Sequence, residues 1–336
     1  MTIWMNREDL MALPTKGLAW DEMEAIAGKY QGGAHISDPN SQDNNGCLAA
    51  ALVSARTKNT DLKSIAMVGI NTVIEIAKNE RYIELANNQP NHSTALALSR
   101  NLPAFVIASE LIEYKDWINS YLFRRLLTTP CLRAPSTVIE THEIRPNNWG
   151  LHAGFARACV YAYDGDTWGL SEVARIFRTF VGESNDHADF VYGGPYGSRD
   201  FSWQIGPNYV GINPSHSMID GHSVDGVQPD DQRRAGSFAW PPPTTNYAWE
   251  ALQGAVATAW VLYRNGYPDV FRWADSALYR SVRWNTDIAE FPPTGDDRWI
   301  NWILSYVGFE NLILETPTTP GKNIGFTDWT HQRVIL

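Results

Sequence analysis

The chain has 336 residues, of which 44% are hydrophobic and 19% charged. This composition excludes a disordered or fibrous protein and allows a large buried core. The formal net charge of −10 argues against duplex nucleic acid as a partner, because phosphate binding requires a basic surface. The 14 Trp and 14 Tyr residues indicate either a large aromatic core or a groove in which rings stack on a ligand.

The three cysteines, Cys47, Cys131 and Cys159, form no CxxC motif. Their odd number and wide spacing favour burial or a reducing compartment over a disulfide framework or a zinc site. The N-terminus lacks a basic segment followed by an apolar run, and no stretch approaches the roughly 18 apolar residues of a membrane helix. We therefore expect a soluble protein without membrane contact, cytoplasmic as the sequence stands. A secreted form already trimmed of its signal would show the same pattern.

Apolar residues at three- and four-residue spacing predict amphipathic helices from the start of the chain. One helix is predicted through Leu62 and Ala77. Another is predicted through Leu102 and Ile112, with Pro103 in its first turn, where a missing amide costs little. The first 130 residues are therefore expected to be helical.

Three further helices follow the same periodicity. One is predicted to begin near Asn148, another to end at Gly182 as its C-cap, and a third to end at the Asn265–Gly266 turn. Alternating strand patterns are scarce. The sequence thus predicts an all-α protein, specifically an α/α toroid or incomplete barrel of helical hairpins, forming a single domain over residues 1–336.

The pattern changes between residues 183 and 246, where glycine and proline are frequent and helical periodicity is absent. A segment of this length without regular structure is usually disordered or functional. It holds more aromatic residues than a solvated linker would. Among them are Tyr196, Trp203, Tyr209, Phe238 and Trp240. We interpret the segment as a long ordered excursion over one end of the helical barrel, with a domain linker as the alternative.

Residues 145–152, Arg-Pro-Asn-Asn-Trp-Gly-Leu-His, precede a predicted helix. Either Asn147 or Asn148 suits the N-cap, and the free amides and positive dipole end beyond it can hold a carboxylate. Capping alone explains one Asn. Two Asn residues beside Trp149 and His152 favour a ligand site.

A second polar segment, residues 225–240, contains several acids next to Arg233 and Arg234. Mixed charge usually forms surface salt bridges, but a partly buried arginine here would be a rigid bidentate donor for a carboxylate. The proline run that follows places Tyr247 in the first turn of a helix, at the mouth of the barrel. A tyrosine there either packs or, beside an arginine, acts as a base or an acid.

Other common sites lack their sequence signatures. The chain has no GxGxxG, GxxxxGK[ST], HExxH or GxSxG motif, so nucleotide, zincin and α/β-hydrolase sites are not predicted. His216 and His222 flank Asp220, which would suit a metal, but loop histidines with one acid are weak evidence. We expect no metal and no cofactor.

These segments resemble the alginate-lyase-type superfamily of polysaccharide lyases. The resemblance spans most of the chain, from residues 13–21 to 321–331, and is clearest from 145 to 270. Its members with an α/α toroid cleave polyuronates such as alginate or glucuronan. The matching segments lie at residues 145–150, 163–166, 202–204, 211–214 and 233–242, the last leading to Tyr247.

The resemblance implies β-elimination, in which hydrogen bonds or positive charge neutralise a uronate carboxylate so that the C5 proton can be removed. It implies Asn148 and Arg234 as neutralisers, with Arg233 as the alternative arginine. It implies Tyr247 as the proton donor to the leaving oxygen and as one possible base. Neutralising the developing enolate is the largest electrostatic task.

The position of the candidate base differs from the superfamily pattern, in which a histidine directly follows the Asn. Trp149 takes that place here, so the resemblance leaves His187 as the catalytic histidine, with His152, one turn beyond Asn148, as another candidate. The resemblance also implies a set of substrate-binding residues. They are Arg233, Asn147, Trp149, His152, Trp203, Gln204 and Trp240.

The predicted function is therefore a polysaccharide lyase that acts on an anionic 1,4-linked polyuronate and leaves 4,5-unsaturated ends. One alternative is a glycoside hydrolase on the same toroid that uses a carboxylate pair, for example Asp231 and Glu250. Another is a non-catalytic carbohydrate-binding or virion-type structural protein. The sequence leaves open the uronate, endo or exo action and the oligomeric state.

Overall fold

A computed structural model describes residues 2–79, 94–131, 137–193, 200–206 and 210–332. It is 60% helix and 2% strand, which confirms the all-α class. The helices within these ranges are α1 (Arg7–Ala12), α2 (Leu18–Lys29), α3 (Asp43–Thr57), α4 (Thr60–Asn79), α5 (Thr94–Leu111), α6 (Trp117–Thr128), α7 (Val138–Ile144), α8 (Asn148–Asp164), α9 (Thr167–Val181), α10 (Pro229–Gln232), α11 (Tyr247–Arg264), α12 (Trp273–Arg283), α13 (Trp299–Tyr306) and α14 (Thr327–Thr330). No helix in the described ranges is both long and apolar enough to cross a membrane.

Four of the predicted helices have the expected positions. In α4, the predicted residues Ala66, Ile70, Val73 and Ala77 are buried. Helix α8 begins at Asn148, and α9 is followed by Gly182, whose φ of 85° is the left-handed conformation of a C-cap. Helix α11 ends just before Asn265. Local periodicity and end signals therefore located these elements correctly.

The prediction for Pro103 is wrong, because this residue lies inside α5 and not in its first turn. A proline at this position removes the amide that would donate to the Ser99 carbonyl. The helix continues because its residues from Thr94 to Ser109 are all buried. Packing on every side outweighs the lost hydrogen bond.

The most deeply buried helices pack side by side. Helix α3 contacts α5, α5 contacts α8, and α8 contacts α11. Helices α4, α6 and α9 lie in the connections between successive members of this series. The series continues from α11 through α13 and α14 to α2, which packs against α3. One buried hydrophobic cluster extends through these helices, from Ile3 to Trp329. All three cysteines are free and lie in this interior.

Polar contacts join the first halves of α3, α5 and α11. At the beginning of α3, Asn44 Nδ2 donates to the carbonyls of Arg100 and Lys322. Arg100, in the first half of α5, contacts Glu250, in the first turn of α11. This polar region is where the candidate site lies.

The described parts of the excursion, residues 183–193, 200–206 and 210–246, are mostly irregular but packed. Its strands, β1 (Met218–Ile219) and β2 (His222–Ser223), form a short antiparallel hairpin. A second hydrophobic cluster gathers around Trp203 and Trp284. The Trp203 indole donates to the carbonyl of Gly236, 2.8 Å away. The predicted aromatic residues Tyr196 and Tyr209 lie outside the described residues.

Candidate active site

The start of α8 is closed by the protein's own carboxylates. Asn147 is the N-cap, and its Oδ1 accepts from the Trp149 amide at 3.1 Å. Its Nδ2 donates to Asp230 Oδ2 at 2.8 Å, and the Asn148 amide donates to Asp231 Oδ1 at 3.2 Å. Internal aspartates therefore fill the position that the sequence predicted for a substrate carboxylate. Asn147 is bound to them and is not free for a substrate.

Arg233 belongs to this closed group. Its Nε lies 2.5 Å from Asp230 Oδ1, and its side chain is 5% exposed. Burial raises the pKa of Asp231 well above its usual range, and the charge of Asp230 adds to that effect. Arg233 is thus the counter-ion of a buried carboxylate. The prediction that it contacts the substrate is therefore corrected.

Arg234, the next residue, has the opposite environment. It is exposed, and its guanidinium carbon lies 3.8 Å from the ring centroid of Tyr247, a cation–π geometry. No carboxylate in the described parts of the chain pairs with it. Tyr247 is the first residue of α11 and is 37% exposed. An open cation and an accessible phenol therefore meet at this helix start.

Asn148 is linked to Arg234 through Asp231. The backbone N–H of Asn148 donates to Asp231 Oδ1, and the charge of Arg234 acts on the same carboxylate. The grouping of Asn148, Arg234 and Tyr247 in one catalytic site stays a prediction. Asn148 is only 1% exposed, so it supports the wall of the site instead of presenting its side chain to a ligand.

An ion pair beneath Tyr247 was missed by sequence reasoning. Arg100 Nη2 donates to Glu250 Oε2, and the two side chains are 7% and 18% exposed. Burial lowers the pKa of Arg100, whereas the charges of Glu250 and Asp296 oppose that effect. The only sequence signal was one arginine within an apolar helix.

A buried carboxyl lies next to the same ion pair. Asp297 Oδ1 accepts from Gln253 Nε2 at 2.8 Å, and burial raises the pKa of Asp297 to about 7. The negative charges of Asp296 and Glu250 act in the same direction. A carboxyl with this pKa is protonated part of the time near neutrality and can exchange a proton there.

His152 is a core residue. It is 0% exposed, and Gly254 of α11 approaches so closely that an added Cβ would lie 2.5 Å from the His152 amide nitrogen. Burial lowers its pKa well below the usual range, so the ring is neutral. The predicted contact between His152 and a substrate is therefore corrected. Trp149 is half-buried beneath the Arg145 guanidinium, 4.4 Å from its ring.

His187 lies in a different polar cluster. Its Nε2 is 2.5 Å from the carbonyl of Glu143, its Nδ1 accepts from Arg175 at 3.3 Å, and it is 4% exposed. Its ring packs edge-on against Phe190. It contacts neither Arg234 nor Tyr247 in the described structure, which corrects its assignment as the catalytic histidine.

The predicted sugar-stacking residues separate into two groups. Trp203 is 0% exposed and packs against Phe238 and Trp284, so its predicted contact with a sugar is corrected. Trp240 is 40% exposed and stacks on His222. Gln204 is half-buried. Within the described ranges, no group of three or more His, Cys, Asp or Glu residues is arranged to hold a metal ion.

No protein-family model and no curated protein matches this sequence. The chemistry of the site must therefore be inferred from its own geometry. It offers an arginine that has no carboxylate partner among the described residues, a phenol, and a buried layer of paired charges beneath them. The exposed Trp240 ring lies on the segment that leads to Tyr247.

Proposed function

We propose that the protein is a polysaccharide lyase, with its helices arranged as an incomplete α/α toroid, that cleaves a 1,4-linked polyuronate such as alginate or glucuronan. The observation that supports this most directly is the exposed Arg234, which has no carboxylate partner in the described residues and stacks on the accessible Tyr247. The succession of contacts from α3 through α11 and back to α3 supports the toroid.

The proposed reaction is a β-elimination. A base removes the proton from C5, the electrons of that bond form the C4=C5 double bond, and the C4–O4 bond breaks. The departing oxygen takes a proton. Negative charge spreads onto the uronate carboxylate during the first step, and Arg234 would bind that carboxylate through two hydrogen bonds.

Tyr247 is proposed as both base and acid. Its phenolate would take the C5 proton and then, as a phenol, return it to O4, so that no net proton is gained or lost. One residue can do this only when the C5 hydrogen and O4 lie on the same face of the sugar. That arrangement exists in D-mannuronate and D-glucuronate but not in L-guluronate, so we propose the first two as substrates.

A direct test is to incubate the protein with alginate, polymannuronate, polyguluronate, glucuronan, hyaluronan and pectate while following the ultraviolet absorbance of unsaturated ends. We expect product from polymannuronate or glucuronan and little from polyguluronate or pectate. The lyase proposal fails if none of these polymers gives the signal over a broad pH range. Product from polyguluronate alone would instead reject the one-tyrosine mechanism.

A hydrolase on the same fold is the second candidate. The pair first considered is unsuitable, because Asp231 is buried against Asn148 and Glu250 is paired with Arg100. Burial raises the pKa of Asp297 to about 7, but Asp297 is only 1% exposed, so its burial counts against it as it does for Asp231. A hydrolase would release reducing ends without unsaturation.

A non-catalytic carbohydrate-binding or virion-type structural protein is the third candidate. It predicts polymer binding without any release of product. Under that hypothesis, Tyr247→Phe would leave binding unchanged because only a hydroxyl is removed. Under the lyase proposal, the same variant would bind polymer and lose product formation.

A further inference from the structure

His222 and Trp240 form a pair of stacked rings, and Trp240 belongs to the segment that leads to Tyr247. Their centroids are 4.2 Å apart and their planes differ by 11°. The imidazole covers one face of the indole, yet Trp240 is still 40% exposed. Part of the Trp240 side chain is therefore accessible to solvent while His222 stacks on the ring.

The histidine is mounted on a well-anchored hairpin. His222 is paired with Ile219 across the two strands. The neighbouring Ser223 carbonyl accepts from the Trp284 indole at 2.9 Å, and Trp284 belongs to the second buried cluster. Asp225, just beyond the hairpin, is paired with Arg280 of α12. The support beneath Trp240 is thus tied to the core in two places.

We propose that His222 is a positioning residue that holds the Trp240 ring as a stacking platform for one sugar residue of the polyuronate chain. This inference rests on the proposed function. A flat aromatic ring can stack on the apolar face of a sugar, and a ring fixed beforehand loses less conformational freedom on binding than a mobile one. The role differs from the metal ligation that the His216–Asp220–His222 sequence first suggested.

The proposal places the platform at a sugar beyond the two that flank the cleaved bond. Trp240 and Tyr247 are seven positions apart in sequence, which limits the separation of their Cα atoms to at most about 25 Å. The Pro243 carbonyl in this segment accepts from Gln232 Nε2 at 2.5 Å, so the segment is fixed to α10. A long substrate would contact both Tyr247 and Trp240, whereas a very short oligomer would contact only Tyr247.

The test compares substrates of different length in four variants. We expect His222→Ala and Trp240→Ala each to raise KM for the polymer about 3- to 10-fold, the range expected for one aromatic contact. Values of kcat, and of KM for a disaccharide or trisaccharide, should stay unchanged. His222→Phe should restore the polymer KM because it keeps a flat ring beneath Trp240. Trp168→Ala removes a 72% exposed tryptophan on α9 and is the control.

A binding measurement separates this inference from the proposed function. Migration through native gels that contain the polymer should be retarded less for His222→Ala and Trp240→Ala than for wild type, Trp168→Ala or His222→Phe. Wild-type KM in His222→Ala, or failure of His222→Phe to restore it, would overturn the positioning role. If the wild type forms no unsaturated product but these shifts in the gel still appear, the lyase proposal fails and the platform stands.

Discussion

Helices α8 and α11 pack side by side, but their starts have opposite environments. At α8, Asn147 caps the helix and two buried aspartates accept hydrogen bonds from Asn147 and Asn148. At α11, the N-cap Asn246 makes no capping hydrogen bond within the described structure, and Tyr247 is exposed. The same kind of helix end is thus closed by buried hydrogen bonds in one place and open to solvent in the other.

The two adjacent arginines follow the same division. Arg233 is committed to a buried carboxylate, whereas Arg234 reaches the surface and stacks on Tyr247. A positive charge already neutralised inside the protein contributes little to binding an anion, whereas an exposed and unpaired one can contribute fully. The comparison shows paired, buried charge on the α8 side and an exposed cation beside an accessible phenol on the α11 side, which is where we propose that the ligand binds.

Removing the Tyr247 hydroxyl should have the largest effect. We expect Tyr247→Phe to lower kcat by about 10²- to 10⁴-fold, the usual contribution of a positioned acid or base. The thermal midpoint should be unchanged, because the ring and its contact with Arg234 are kept. The rate at which product absorbance increases at saturating polymer measures this effect. Wild-type kcat in this variant would remove Tyr247 from the mechanism.

The arginine pair provides a matched comparison. Arg233→Ala leaves Asp230 buried without its counter-ion, so we expect a loss of about 3–5 kcal/mol in the free energy of unfolding. Arg234→Ala removes an exposed side chain and should change stability by less than about 0.5 kcal/mol, while strongly lowering kcat/KM. Urea denaturation and product absorbance measure the two effects. Equal destabilisation by both variants would contradict the division of roles.

Asp297 should make stability depend on pH. Its pKa is raised from 3.8 to about 7, so between these values the native state holds a proton that the unfolded state has released. Its stabilising contribution is complete below about pH 4 and is lost as the pH rises through 7. The loss in the free energy of unfolding is at most about 4 kcal/mol. Asp297→Asn should therefore gain stability relative to wild type between pH 4 and pH 8. The prediction is contradicted if the free energy of unfolding changes with pH to the same extent in both proteins. Lyase activity should survive the change.

Gly254 tests the contact between the two helices. An added Cβ would lie 2.5 Å from backbone atoms of Leu151 and His152, which cannot move aside without separating α8 from α11. We expect Gly254→Ala to cost about 1–3 kcal/mol. Gly28→Ala in α2 is the control, because nothing lies within 4 Å of its added Cβ, and it should gain about 0.5–1 kcal/mol. Thermal unfolding of both variants measures the difference.

Local features of the structure could be predicted from the sequence. The starts of α8 and α11 and the C-cap at Gly182 follow from residue types a few positions apart, and they agree with the structure. Pro103 was misplaced because burial around α5 outweighs a local rule. Local patterns describe one helix at a time and carry no information on what surrounds it.

The partners within the site could not be predicted, because they are distant in sequence. Asp231 reaches Asn148 across 83 positions, and Arg100 reaches Glu250 across 150. The difference between Trp203 and Trp240 also depends on tertiary packing, since both come from the same aromatic segment. Residue type thus identified candidates, and only the fold decided which of them are accessible.

The contact between α14 and α2 has a consequence for how the chain reaches its native state. The Trp329 indole donates to the Pro14 carbonyl, 315 positions earlier, and its ring lies 5.4 Å from that of Trp20. During synthesis the early helices must wait for this late segment before their apolar surface is covered. Contacts of such long range slow folding, and the incomplete chain is the species in which association with chaperones or with other copies is most favoured.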